Sequence, residues 1–357
     1  GDNIGSYYFI PKLVQLTGIS LEVAIQIVYS GFVFLAFLSA AIAIWLFFQS
    51  LSGKLIGIMA LAILSLVIAG IGGSYIFAGA IPMAIIPWLI HILKKPPNNI
   101  KYSYLFFFLF GIVISFGHLI RSHSGTDVII FILLGFVFFA KSYSYKQKTI
   151  LILILTLSMA SVFSWFNSIV DKRVEYLTSI ESDYELSGKR IMWHNIYYSL
   201  GYLNNSYGQV DGFESHEPSD VYSVKRALEI NPYVKKWSSE YEDILRKETF
   251  SFIADHKLFF MKTILVKIGV MLVYIALFMN IGLVMLFYYN TNVEFHLLFL
   301  SGITFNMIFG VLTSPNYTYL TGLFLFSVLY SIYIIDSAIY NGFIKKKNQF
   351  KMNKAVE

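Results

Sequence analysis

The side chains best equipped for chemistry are arginines with histidines close by. Arg121 and His123 stand two apart in a polar break between apolar runs, and Arg190 precedes His194 by one helical turn in an aromatic stretch. A guanidinium fork matches phosphate or carboxylate bidentately where an ammonium offers only a point charge, so these positions point to an anionic ligand. Each residue also has a plainer use: Arg121 as an interfacial anchor at a span end, His194 as a packed histidine. A second cluster, Glu214, His216 and Glu217 with Asp220, holds metal-ligating residue types. Its Gly- and Pro-flanked setting reads first as a solvated acidic loop, and no HExxH or CxxC spacing accompanies it. The chain has no cysteine, which excludes disulfides, thiolate metal sites and cysteine nucleophiles. Walker, dinucleotide and GxSxG motifs are absent, so nucleotide hydrolysis, flavin or nicotinamide chemistry and serine hydrolysis have no sequence support.

The elements that must position these residues are mostly of lipid-spanning length. With 57% hydrophobic and only 13% charged residues, the 357-residue chain reads as an integral membrane protein. Apolar runs bounded by charge, Gly or Pro fall near 24–48, 55–71, 75–93, 105–120, 127–140, 150–170, 267–289, 295–312 and 318–336. The expectation is an all-α polytopic helical fold of about nine spans. It divides into an N-terminal bundle at 1–168 with a first outer loop at 1–23, one polar insert at 169–257, C-terminal membrane helices at 258–340 and a basic tail at 341–357. Lysines set the orientation, because short cytoplasmic loops are enriched in them. Lys54, Lys94, Lys95, Lys101, Lys141, Lys146, Lys148 and the five lysines of the tail all count to one face, which makes the tail cytoplasmic and the insert external. All five arginines then lie outside, and the insert, with 15 acidic against 11 basic residues, is net negative. That balance argues against nucleic acid as a partner.

Counting spans back also places Gly1 outside, so the sequence implies a helix upstream of it, with Asp2 following that helix at the bundle mouth. The opening Gly1-Asp2-Asn3-Ile4-Gly5-Ser6-Tyr7-Tyr8, the insert segments from Trp193 to Tyr202 and from Ser239 to Arg246, and the run from Pro315 to Gly322 together resemble the GT-C membrane glycosyltransferases. In that family an acidic residue just after the first helix acts on the acceptor hydroxyl. The resemblance implies transfer of a sugar from a polyprenyl-phosphate donor to a glycan, lipid or protein acceptor at the outer face, in a bacterial plasma (inner) membrane. It also implies Asp2 as the base, with Arg121, His123, Arg190 and His194 contacting donor phosphate or sugar. A carboxylate is needed to deprotonate the acceptor, and positive charge or strong donors to stabilise the departing phosphate. A divalent cation is an alternative stabiliser, and the sequence does not choose.

Two other readings fit part of the pattern. An O-antigen-type polysaccharide polymerase or ligase also joins many spans to a large outer loop with outer arginines, but it consumes diphosphate-linked oligosaccharides and needs no acid after the first helix. A lipid-linked glycan flippase or transporter would place ionisable groups at mid-membrane depth, whereas His91, His118 and His296 fall close to span ends. Lys262 and Lys267 read as snorkelling toward headgroups, and Glu294 and Asp336 as acids within reach of water.

Overall fold

The structure, a computed structural model, describes residues 4–94, 99–180, 192–203, 219–288 and 292–356, with backbone alone at 219–220, 287–288 and 343–356. Among the described residues it is all-helical: α1 (Ser6–Thr17), α2 (Leu21–Phe47), α3 (Leu51–Gly70), α4 (Phe77–Lys94), α5 (Ile100–Ile120), α6 (Thr126–Phe138), α7 (Tyr145–Ile180), α8 (Met192–Ser199), α9 (Ser219–Ile230), α10 (Ser239–Asp255), α11 (Lys257–Tyr288), α12 (Val293–Leu312) and α13 (Thr321–Val356). Polar side chains start several of them. Ser20, Ser50, Asn99 and Ser238 each accept a backbone N–H of the first turn of α2, α3, α5 and α10. Gly18, at φ 71°, ends α1 in the left-handed conformation that glycine adopts without strain.

Eight helices are long and apolar enough to cross a membrane. They carry the expected spans at 24–48, 55–71, 75–93, 105–120, 150–170, 267–289, 295–312 and 318–336. The remaining one, α6, has only 13 residues, ending at Phe138 rather than reaching residue 140. At 1.5 Å per residue it is about 20 Å long, short of the ~30 Å hydrocarbon layer. It survives as a short element because it is packed against α4 and α12, with Val128, Phe131, Ile132 and Phe136 buried.

The bundle is built around α4 and α13, whose apolar windows are 78% and 83% buried, against 17–44% for the other long helices. Two prolines, Pro82 and Pro87, lie inside α4, where each removes a backbone donor. One end of the bundle gathers lysines. Lys94 lies over the rings of Phe139 and Phe295, Lys141 pairs with Glu294 at 2.7 Å, and Lys148 donates to the Phe136 carbonyl. Asp336 sits at the same end. It is buried, not water-facing, and accepts from Gln49 N, Ser50 N and Ser50 Oγ at the start of α3. The opposite end carries the insert, where α7 runs on past residue 170 to Ile180 and α8, α9 and α10 enclose a small core of Tyr197, Leu200, Ala227, Tyr241, Leu245 and Phe252.

Candidate functional site

At the insert end, the turn between α5 and α6 folds over the start of α4 and the end of α12. The turn is closed by Arg121 N to Gly117 O, Ser124 N to Arg121 O and Thr126 N to His123 O. It contains two residues at positive φ, His123 at 77° and Gly125 at 84°. Glycine takes that conformation freely, but for histidine it costs about 1 kcal/mol or more, and strain of this kind gathers at functional sites.

The turn walls a pocket of about 60 Å³. That is room for about five water-sized groups. Arg121, Ser122, His123 and Ser124 line it together with Asp127 and Asn306, and Tyr75, Ala78, Phe309 and Tyr319 are among its other walls. Arg121 lies flat over Tyr75, its Cζ 4.0 Å from the ring centroid. No carboxylate lies within ion-pair distance of it among the described residues. The Ser122 and Ser124 hydroxyls are buried without a hydrogen-bond partner. Asp127 is 3% exposed; its Oδ1 accepts from Val128 N at 2.8 Å and its Oδ2 from Asn306 Nδ2 at 3.1 Å. Because Pro82 has no N–H, the Ala78 carbonyl lacks its helical donor. The pocket thus brings Arg121 and two seryl hydroxyls together with the Asp127 carboxylate.

A chain of hydroxyls ties the pocket to the insert. Tyr75 Oη donates to Tyr319 Oη at 3.2 Å, and Tyr319 Oη meets Tyr198 Oη of α8 at 3.3 Å. One residue further, Ser199 Oγ donates to the Leu312 carbonyl at 3.0 Å. Glu242 of α10 fixes the start of α8 by accepting from Trp193 N and His194 N. Burial pushes the Glu242 carboxyl above its ordinary range, and those two N–H donors pull it back down. Lys267 is buried, its Nζ donating to the Val311 and Thr313 carbonyls at 3.1 and 2.6 Å. It caps the last turn of α12 instead of snorkelling to lipid.

Of the residues nominated by the sequence, Arg121 and His123 come together in this pocket. His194 does not line it. Its ring is 2% exposed within the insert core, with Nδ1 2.7 Å from Tyr241 Oη and the Trp237 ring centroid 4.6 Å away. Asp2 and Arg190 lie outside the described residues, as do Glu214, His216 and Glu217. Gly5 is described, and its N–H donates to the Leu119 carbonyl at 2.7 Å, two residues before Arg121. The pocket residues that sequence reasoning passed over are Ser122, Ser124, Asp127, Asn306, Tyr75 and Tyr319. Tyr319 lies within the Pro315–Gly322 run that carries part of the resemblance, though without a role of its own there, and Asp127 had the signal of an acid opening an otherwise apolar run. Among the described residues no group of three metal-ligating side chains gathers. The pocket itself offers a single carboxylate, fewer than the oxygen-rich sets that bind divalent ions.

Comparison with protein families, characterised proteins and solved structures finds no match to this chain.

Proposed function

We propose that the chain is a membrane glycosyltransferase of GT-C type, which moves a sugar from a polyprenyl-phosphate donor to a glycan, lipid or protein acceptor at the membrane face that carries the insert. The observation that supports this reading is Arg121, a guanidinium with no carboxylate partner among the described residues, laid over Tyr75 beside two unpartnered seryl hydroxyls. In glycosyl transfer the leaving phosphate gains a negative charge as the C1–O bond breaks. Arg121 and the seryl hydroxyls are donors held ready for that charge, with little reorganisation required. The bundle sides supply the lipid contact such a donor needs: α2, α7 and α11 present Phe34, Leu157 and Leu265 outward. The acceptor needs a carboxylate base; Asp2, which the family resemblance nominates, lies outside the described residues.

The test uses purified protein in nanodiscs with a panel of polyprenyl-phosphate sugars and diphosphate-linked oligosaccharides. Two charge-assisted hydrogen bonds to a phosphate contribute about 3–6 kcal/mol, so Arg121→Ala is expected to lower kcat/KM by roughly 10²- to 10⁴-fold. Arg121→Lys should recover only part of that. A folded Arg121→Ala variant with undiminished turnover sinks the reading, and turnover confined to diphosphate-linked substrates transfers the site to the polymerase class.

A further inference from the structure

We propose that Asp127 is the catalytic carboxylate of this pocket, taking the proton of the acceptor hydroxyl; the inference rests on the glycosyl-transfer reading above. It starts from a contrast between two buried aspartates. Asp336, 8% exposed, receives three hydrogen bonds, two of them from backbone N–H groups. Asp127, more deeply buried at 3%, receives one from the Asn306 amide and one from the N–H of its own neighbour. No Lys, Arg or His stands within ion-pair distance of Asp127 among the described residues. A buried charge that receives only these two hydrogen bonds and has no cationic partner among the described residues is costly to the fold, so stability alone is a weak reason for a carboxylate here. The positive end of the α6 dipole favours an acid in its first turn, but only modestly.

The carboxylate is held as a reacting group should be. Asn306 Nδ2, which bonds Asp127, also donates to the Gly302 carbonyl at 2.9 Å, so the amide cannot rotate away. Gly322 leaves room for that amide, because a Cβ there would run into Asn306 Oδ1. Each carboxylate oxygen keeps a further lone pair. The other ionisable groups of the pocket, Arg121, His123, Tyr75 and Tyr319, lie on the α5–α6 turn, just before α4 and just before α13; what α12 contributes, Phe305, Asn306 and Phe309, is neutral. In the step itself the acceptor oxygen bonds to C1 of the sugar and its proton passes to Asp127. The C1–O bond to phosphate breaks, and its electron pair leaves with the polyprenyl phosphate on the Arg121 side.

Asp127→Asn and Asp2→Ala are compared with wild type by steady-state kinetics, thermal unfolding and binding of polyprenyl phosphate. A lost general base lowers the rate by roughly 10²- to 10⁴-fold. Asp127→Asn should therefore lose kcat by about 100-fold or more, with donor KM and polyprenyl-phosphate binding within about twofold of wild type. Its unfolding midpoint should stay close to that of wild type, because relief of the buried charge offsets the one N–H donor left facing the new amide NH2. Turnover within threefold of wild type overturns the proposal, as does a loss of turnover accompanied by a lowered midpoint, which marks a structural role. Should wild type transfer sugar from no donor, the glycosyltransferase reading fails by that measurement. The midpoint then still decides whether the fold needs this carboxylate: a lowered one overturns the proposal, and an unchanged or raised one keeps Asp127 as a ligand-facing group.

Discussion

Exchanging aspartate for asparagine should cost clearly more stability at Asp336 than at Asp127, the two buried carboxylates contrasted above. At Asp336, three donors at 3.2, 3.1 and 2.8 Å converge on the carboxylate from the start of α3. A hydrogen bond to a charged group contributes about 1.5–3 kcal/mol and a neutral one about 0.5–1.5, so removing the charge weakens the three by about 3 kcal/mol together. Relief of the buried charge returns about 1 kcal/mol, since the three donors already compensate most of it. The net expectation for Asp336→Asn is a loss of about 2 kcal/mol, and Asp336→Ala, which strands two N–H groups, should lose about 3–5 kcal/mol. At Asp127 the new amide keeps one of the two N–H partners and sets its NH2 against the other, while the deeper charge disappears, so Asp127→Asn should stay within about 1 kcal/mol of wild type. Denaturant unfolding in detergent, followed by tryptophan fluorescence, measures both. The reasoning is refuted if Asp336→Asn is as stable as wild type, or if Asp127→Asn loses as much as Asp336→Asn.

Tyr319→Phe removes the middle of the hydroxyl chain and with it two hydrogen bonds of about 1 kcal/mol each. Donor KM should rise several-fold with kcat little changed, and amide exchange in α8 should accelerate; unchanged exchange counts against the bridge. Gly322→Ala drives a methyl into Asn306 and should cost about 1–3 kcal/mol of stability, with a fall in turnover as the amide is pushed off Asp127; wild-type turnover in the folded variant counts against that support.

The membrane class and most span positions were legible because lipid length and apolar composition are local properties, read without knowing any contact. The gathering of Lys94, Lys141 and Lys148 at one end was legible for the same reason, since it needs only a count of spans. Elements whose length is set by packing were not. The 127–140 run reads as a span, yet α6 stops at Phe138 because neighbours on α4 and α12 bury it without lipid. Lys267 reads as a snorkelling lysine from its distance to a span end, and its role as a cap depends on where the last carbonyls of α12 fall. The pocket was legible only at Arg121 and His123. Its other residues come from the starts of α4 and α6, from α12 and from the run before α13, and nothing local distinguishes Tyr75 or Tyr319 from the aromatic belt of any membrane protein.

The insert belongs to the frame of the pocket, and the run between α12 and α13 shows why. That run carries Tyr319. On its bundle side Lys267 holds the carbonyls of Val311 and Thr313, and on its insert side Tyr198 meets the Tyr319 hydroxyl while Ser199 bonds the Leu312 carbonyl. Tyr319 in turn receives the hydroxyl of Tyr75, the ring on which Arg121 lies. The same Tyr75 is fixed through its backbone, whose carbonyl accepts from Thr321 Oγ1 at the start of α13. Loosening α8 therefore removes one of the restraints on the Arg121 platform without touching Arg121 itself. Glu242, which caps α8 from within the insert, acts on the pocket through that path. On the proposed glycosyl-transfer reading, this arrangement gives the insert and the pocket that would face the donor one hydrogen-bonded support.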